Sequence, residues 1–237
     1  MVGALPRDRS VVTLKMLSRK STIHCLFASP FMAESTQNSS SMAPGFLVAS
    51  PKLDGSPFER AVILLVHHDE EGAMGYIINK PLEVDFGTLI ASVNEEIEEA
   101  ILPERFEQTV YFGGPVRMEQ LWVIFKHEGE QARKAPFDSV EPADIDFAPD
   151  WTLSPSGRLI EGFALHETDD YIMPVLGYAG WGAGQLEGEL EEGSWLVADF
   201  DEALIRQTAP ADCWKRALAK IGVDPTAFLM MGKMGSA

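Results

Sequence analysis

The sequence predicts a single α+β domain that begins near Met42. Three observations carry this. Short runs rich in apolar and β-branched residues sit next to one another with brief acidic or Gly/Pro turns between them, which reads as adjacent hairpins and argues against a purely parallel sheet. Helical stretches are interleaved with these runs and gather towards the C-terminus. No repeat and no Pro/Ser-rich linker interrupts the chain after residue 42.

Taken in order, Phe46-Leu47-Val48-Ala49 is a strand closed by Pro51, and Asp54-Gly55 marks a turn before Pro57. Ala61-Val62-Ile63-Leu64-Leu65-Val66, then the acidic turn Asp69-Glu70-Glu71-Gly72, then 73–79 form a β-hairpin stopped by Pro81. Its first strand is apolar on both faces and should lie centrally. Residues 86–93 start a helix that runs into a solvated glutamate face at 94–99. Residues 109–112 read as a strand, Gly113-Gly114-Pro115 as a tight turn, and 121–126 as the returning strand. Residues 131–149 are Pro- and Asp-rich and read as a long surface loop. A brief strand at 151–153 and a short helix at 156–163 follow. Pro174 within 171–178 suits an edge or a strand end. After the Gly-rich run 177–184, residues 185–192 form an acidic helix with Gly193 as its cap, and 195–198 a strand. Asp199 or Asp201 caps a helix at 201–206. Residues 211–221 are amphipathic, with Trp214, Leu218 and Ile221 on one stripe, and Gly222 ends them.

The 237 residues carry a net charge of −17. Residues 1–41 hold five basic and two acidic side chains, so the remainder has 14 basic against 34 acidic, a net of −20. A body that acidic repels phosphate backbones, so direct nucleic-acid binding is not expected. No run approaches the roughly 18 apolar residues of a membrane span, so no membrane role is expected. Cys25 and Cys213 are the only cysteines, which suits a reducing, cytoplasmic location rather than a disulfide-stapled one. Residues 1–41 show no sustained period. They read as a start assigned too early, at Met1 or Met32 instead of Met42, or as a disordered N-terminal extension; a secretory signal fits less well because His24 interrupts the apolar patch.

Chemistry-bearing motifs are few. Gly177-Tyr178-Ala179-Gly180-Trp181-Gly182-Ala183-Gly184 lets a backbone approach a ligand and precedes a helix, yet it lacks the spacing of known phosphate loops, and Glu187 and Glu189 would repel an anion. The simpler reading is a tight crossover in which the glycines make room for Tyr178 and Trp181. His67 and His68 should point to opposite faces of a strand and cannot share one ion, so no metal site is expected. Cys213 beside Asp212 is a poor thiolate, and no G-x-S-x-G elbow exists. Asn79-Lys80-Pro81 and Gly113-Gly114-Pro115 end strands and would meet Gln185 at a shared rim.

Three motifs in order, Gly72-Ala73-Met74-Gly75-Tyr76-Ile77-Ile78-Asn79-Lys80-Pro81, Tyr111-Phe112-Gly113-Gly114-Pro115 and Leu176-Gly177-Tyr178-Ala179-Gly180-Trp181-Gly182-Ala183-Gly184-Gln185-Leu186-Glu187, resemble the AlgH/YqgE family of bacterial proteins. Phe58, Arg60, His68, Glu189, Trp195, Leu196 and Trp214 through Asp224 extend the match, which runs from about Gly45 to the C-terminus. The resemblance implies a mixed, bifurcated sheet folded into a pseudo-barrel with flanking helices. It implies little about activity, since the family's transcriptional-regulator label is inherited. Arg206 stands where the family carries an aromatic residue, and Gly235-Ser236-Ala237 stands where it often ends Gly-His-Ala.

The reading that follows is a non-catalytic cytoplasmic protein that binds a protein partner or a small ligand, without a cofactor. Its candidate binding residues are His68, Asn79, Gly113, Gly114, Tyr178, Trp181 and Gln185, with Tyr178 and Trp181 as exposed anchors. The alternatives are a hydrolase-like enzyme working at the Asn79/Gly113/Gln185 rim and a regulator of transcription that acts indirectly.

Overall fold

A computed structural model describes residues 41–127, 144–155, 157–166 and 170–234, all within one compact unit, Asn38–Ala237. The N-terminal extension expected at 1–41 lies outside them except for Ser41. Among the described residues ten strands make one sheet. They are β1 (Gly45–Ala49), β2 (Val62–Asp69), β3 (Gly72–Ile77), β4 (Pro81–Asp85), β5 (Thr109–Phe112), β6 (Val116–Lys126), β7 (Ile145–Ala148), β8 (Trp151–Ser154), β9 (Tyr171–Gly182) and β10 (Trp195–Asp199). The helices are α1 (Phe86–Val93), α2 (Pro103–Phe106), α3 (Gly157–Leu165), α4 (Gln185–Glu191), α5 (Glu202–Arg206), α6 (Pro210–Lys220) and α7 (Pro225–Met234). The class is α+β, and the sheet is mixed because β5 pairs with β9 in parallel while every other pair is antiparallel.

The strand order is β10-β1-β2-β3-β9-β6-β8-β7, with β4 and β5 branching off at β9. Strand β9 makes the fork. Val175 and Leu176 pair with β5, and Ala179 to Gly182 then pair with β3, while Tyr171 to Leu176 run along β6. Its first residues, 171–174, pair among the described residues with β6 alone, so Pro174 stands on a local edge as read, while Val175 and Leu176 are flanked on both sides. Proline is tolerated there because β5 takes up pairing only at Val175, leaving the position beside Pro174 without a ladder partner on that side. The Gly-rich run is likewise mostly strand as far as Gly182.

β5 and β6 are not hairpin partners. They flank β9 on opposite edges, so the chain between them must cross β9. Gly113 and Gly114 make that crossing against Gly177. A Cβ on Gly113 would strike the Gly177 carbonyl, and one on Gly114 would strike the Tyr178 backbone. Gly177 itself has φ +70°, a left-handed value that favours glycine.

The hairpin β2–β3 forms as expected, with β2 central between β1 and β3. Other differences are local. Residues 145–148 of the expected loop pair with β8 as strand β7, and 128–143 lie outside the described residues. Pro81 begins strand β4 instead of merely ending the hairpin, and α7 follows α6. Asp201, not Asp199, caps α5, accepting from the Ala203 amide at 3.0 Å.

The end strands β10 and β7 do not pair, so the curled sheet stays open as a pseudo-barrel. Phe200 fills the seam. Its ring meets Phe46 at 5.9 Å, Phe147 at 6.2 Å and Trp151 at 6.1 Å. The inner face buries Phe46, Leu64, Tyr76, Ile124, Trp151 and Leu153. Trp214 of α6 closes one side and donates its indole N–H to the Ala49 carbonyl at 2.8 Å. Two further apolar layers line the outer faces. One lies between β6/β9 and α1/α3, with Phe86, Val123, Phe125 and Phe163. The other lies between β1–β3 and α4, with Leu47, Ile63, Leu65, Trp181, Leu186 and Trp195.

Candidate binding surface

The Gly/aromatic motif builds the fold. Trp181 is 7% exposed and lies on the outer face of β9, its ring edge-on to Trp195 at 6.1 Å. The anchor role expected for an exposed Trp181 is therefore corrected. Alternation along β9 sends Ala179 and Trp181 one way and Tyr178 and Gly180 the other. Glu189 Oε2 accepts from the Trp181 indole at 2.9 Å and from the Trp195 indole at 2.8 Å. Gln185 donates to Glu189 Oε1 at 2.9 Å and accepts from the Gly182 amide at 3.2 Å. Burial tends to raise the Glu189 pKa, but the hydrogen bonds from Trp181, Trp195 and Gln185 outweigh it and hold the carboxyl below the usual range. Gln185 is thus part of a structural knot.

The expected Asn79/Gly113/Gln185 rim does not assemble. Asn79 lies beyond the C-terminal end of β3, where Oδ1 accepts from the Val62 amide at 2.9 Å and Nδ2 donates to the Arg60 carbonyl at 2.9 Å. Gly113 is beside it, accepting from the Ile77 amide at 2.8 Å. Gln185 instead bonds Gly182, which pairs with Gly72 at the other end of β3. Seven residues of extended chain between Gly72 and Asn79 span roughly 20 Å. Gly113 and Gly114 are buried at the crossing.

His68 does sit at the Gln185 end. Its Nδ1 accepts from the Met42 amide at 3.2 Å, so its proton is on Nε2, which donates to Glu187 at 2.8 Å. This hydrogen bond is the main cause that holds Glu187 below the usual carboxylate range. The side chain is 8% exposed and ties the lead-in to β1, the hairpin and α4 together.

The inner face holds an arrangement that no sequence motif marks. Leu65 pairs with Gly75 and His67 with Met74, so Val66 is the extra residue of a β-bulge. The bulge puts His67 on the same face as Met74, across from Gly180. His67, Met74 and Gly180 form a row over three strands at the mouth of the pseudo-barrel. Inward of it, Tyr76, Trp122 and Tyr178 pack with centroids 5.7 to 6.5 Å apart. Tyr178 and Met74 are half-buried, so this is where the inner core meets solvent. His67 Nε2 lies 3.0 Å from Asp69 Oδ2. Burial would raise the Asp69 pKa, but the Glu71 amide, the charge and proton of His67 and the Gly72 amide bring it below the ordinary value. The period-2 set Met74, Tyr76 and Ile78 was a visible sign of an inward face; the bulge that adds His67 has no local signature.

Cys213 is buried and its thiol is pushed up to about 12, mainly by desolvation. Among the described residues no three His, Cys, Asp or Glu side chains are grouped to hold a metal ion. Nor, among them, is any helix long and apolar enough to cross a membrane.

A family profile described as AlgH-like matches residues 46–226. A UPF0301 protein of Photobacterium profundum is 34% identical over 181 residues, covering 76% of this chain and 91% of its own. One from Coxiella burnetii is 35% identical over 179 residues, covering 76% of this chain and 88% of its own. Among solved structures, the AlgH protein of Pseudomonas aeruginosa aligns with a TM-score of 0.61 at 27% identity, over 83% of this chain and 96% of that one. The protein DIP2367 of Corynebacterium diphtheriae shares the fold, with a TM-score of 0.56 at 21% identity over 79% and 90% of the two chains.

Proposed function

This chain belongs to the AlgH-like family, and we propose that it works as a non-catalytic binding protein whose recognition surface is the mouth of the pseudo-barrel. One observation carries the reading. The polar groups of the Gly/aromatic motif are spent on the fold at Glu189, Asn79 and the glycine crossing. Met74 and Tyr178, half-buried beside His67, are where the inner core reaches solvent, with Tyr76 and Trp122 buried beneath them. Cytoplasmic residence accords with the sparse cysteines, and any effect on transcription would run through the bound partner, given the acidic body.

Native mass spectrometry of the full chain, purified from its own cells after nuclease treatment, tests the reading. A bound protein or small molecule that is lost from a Met74→Glu variant supports it. Bare protein in both forms, or binding indifferent to Met74→Glu, counts against it. A second reading rests on the His67–Asp69 pair at 3.0 Å, a carboxylate-oriented imidazole that could act as a general base in a hydrolytic enzyme. Hydrolysis of any ester or amide substrate by the purified chain that vanishes in His67→Gln would favour it.

A further inference from the structure

We propose that the free edge of β10 adds an extended, basic segment of another protein as a further strand, antiparallel to β10 and centred on Val197. This surface is separate from the barrel mouth and stands or falls without it.

The backbone decides which way the edge faces. β10 pairs with β1 alone. The Ser50 amide donates to the Ser194 carbonyl at 3.0 Å. Hydrogen-bonded positions alternate in an antiparallel pair, so Leu196 and Ala198 turn their amides and carbonyls to Val48 and Phe46. Trp195, Val197 and Asp199 turn theirs away from β1. Among the described residues nothing hydrogen-bonds the main chain of these three on that side.

Proteins protect such edges with charge, proline, bulges or shortness. The other strands with a single partner among the described residues are protected in this way. β4 begins with Pro81, exposes Glu83 and Asp85, and has a register shift against β5. β7 is four residues long, has a register shift after Asp146 and runs into Pro149. β10 has none of these devices at its centre. Its five residues keep one register with β1 and contain no proline, no lysine and no bulge. The side chain presented there is Val197, 41% exposed on the outer face beside Leu47. A regular edge with a β-branched centre and main-chain groups aimed away from the sheet is the template on which peptides add by backbone pairing.

Charge identifies the occupant. Glu191 and Glu192 precede the edge and Asp199 closes it, all three exposed. Lys52 reaches the first end, but its ammonium donates to the Glu192 carbonyl. Asp201, just past the strand, is already bonded to Lys220 at 2.7 Å. A second copy of this chain, added antiparallel about Val197, sets Asp199 opposite Trp195 with Glu192 and Glu191 beyond it, so acid approaches acid at both ends of the pairing. An extended segment with an apolar β-branched residue opposite Val197, and Lys or Arg two positions to either side, gives each group of the edge its complement.

The test is heteronuclear NMR of the 15N-labelled full chain with two peptide probes. One is acetyl-Thr-Lys-Thr-Val-Thr-Lys-Thr-amide, and the other has glutamate in place of both lysines. We expect the lysine peptide, at millimolar concentration, to shift the Val197 amide and slow its hydrogen exchange about fivefold or more. The Leu196 and Ala198 amides should keep their exchange rates, because β1 already holds them. The glutamate peptide should bind about tenfold more weakly, and added salt should narrow that gap. Val197→Pro removes the central donor and leaves the ladder to β1, which uses the neighbouring residues. Val197→Lys keeps the amide, sets a like charge against the peptide and replaces an exposed side chain, so its thermal transition should match wild type. Each variant should weaken the lysine peptide about tenfold. Failure of that peptide to move Val197, equal binding of the two peptides, or undiminished binding by Val197→Lys overturns the proposal. So does a Val197 amide already protected in the chain without peptide. Protection lost on dilution makes a second copy the occupant, and protection kept at every concentration means that the chain covers its own edge.

Discussion

His67 and His68 are adjacent in the chain, yet they serve different carboxylates on different faces of β2. His67 meets Asp69 within its own hairpin, and His68 reaches Glu187 of α4, 119 residues away. The backbone alternation of a strand separates them, and the bulge at Val66 decides which faces the barrel mouth. The one at the mouth is partly exposed and the other is a buried clamp.

The two histidines should therefore respond differently to truncation. His68→Ala removes an acceptor from the Met42 amide and a donor to Glu187, and is expected to destabilise the fold by about 1–3 kcal/mol. His67→Ala removes a half-exposed pair and is expected to cost under about 1 kcal/mol. Urea unfolding of the two variants checks the order. Equal losses would mean that the His68 clamp contributes nothing beyond a surface contact.

Glu189 should set part of the response to acid. Its pKa in the fold lies below the ordinary glutamate value, so the unfolded chain binds protons that the folded one does not. Stability from such a group is complete above the unfolded pKa, near 4.3, and is lost as pH falls through the folded value. Asp69, Glu187, Asp201 and Glu202 share the direction. Glu189→Gln should be less stable than wild type at pH 7, with a shallower loss between about pH 5 and pH 3. Unfolding midpoints across that range test it, and parallel curves would remove Glu189 from the account.

Where local pattern suffices, the sequence and the fold agree. The acidic turn between two apolar runs marks β2–β3, the Trp214/Leu218 stripe marks α6, and Asp201 caps α5. The failures are non-local. Pro174 marks a local edge, but nothing within 171–182 says that three other strands will pair with it, so the glycines read as a ligand approach or a tight crossover instead of a continuing strand. The burial of Trp181 depends on Glu189 and Trp195 arriving eight and fourteen residues later. The mouth was hidden for the same reason, because Trp122 comes from β6 and meets Tyr76 only through the fork at β9.

The crossing of β9 should be the least forgiving place for a methyl group. Gly113→Ala or Gly114→Ala forces two backbones apart and is expected to cost at least about 3 kcal/mol or to prevent folding. Gly182→Ala on the same strand meets open space and is expected to stay within about 1 kcal/mol of wild type. Comparing soluble yield and urea midpoints for the three variants tests the crossing. A stable Gly113→Ala protein would mean that the strands do not pass at this distance.

Cys213 should be silent in the native state. Its thiol lies between α5 and α6, pushed up to about 12 by burial, and its weak contact is the Leu204 carbonyl at 3.8 Å. The thiolate is the reactive form, so almost none is present at pH 8. In a Cys25→Ser background, which leaves Cys213 as the single thiol, alkylation at pH 8 should be slow in buffer and should rise along the urea unfolding curve. The rate then reports how often α6 lifts from β1 and β2, against which it packs. Labelling at the speed of a free thiol without denaturant would show that α6 opens well below global unfolding. The packing of α6 on β1 and β2 would then be the soft part of the barrel.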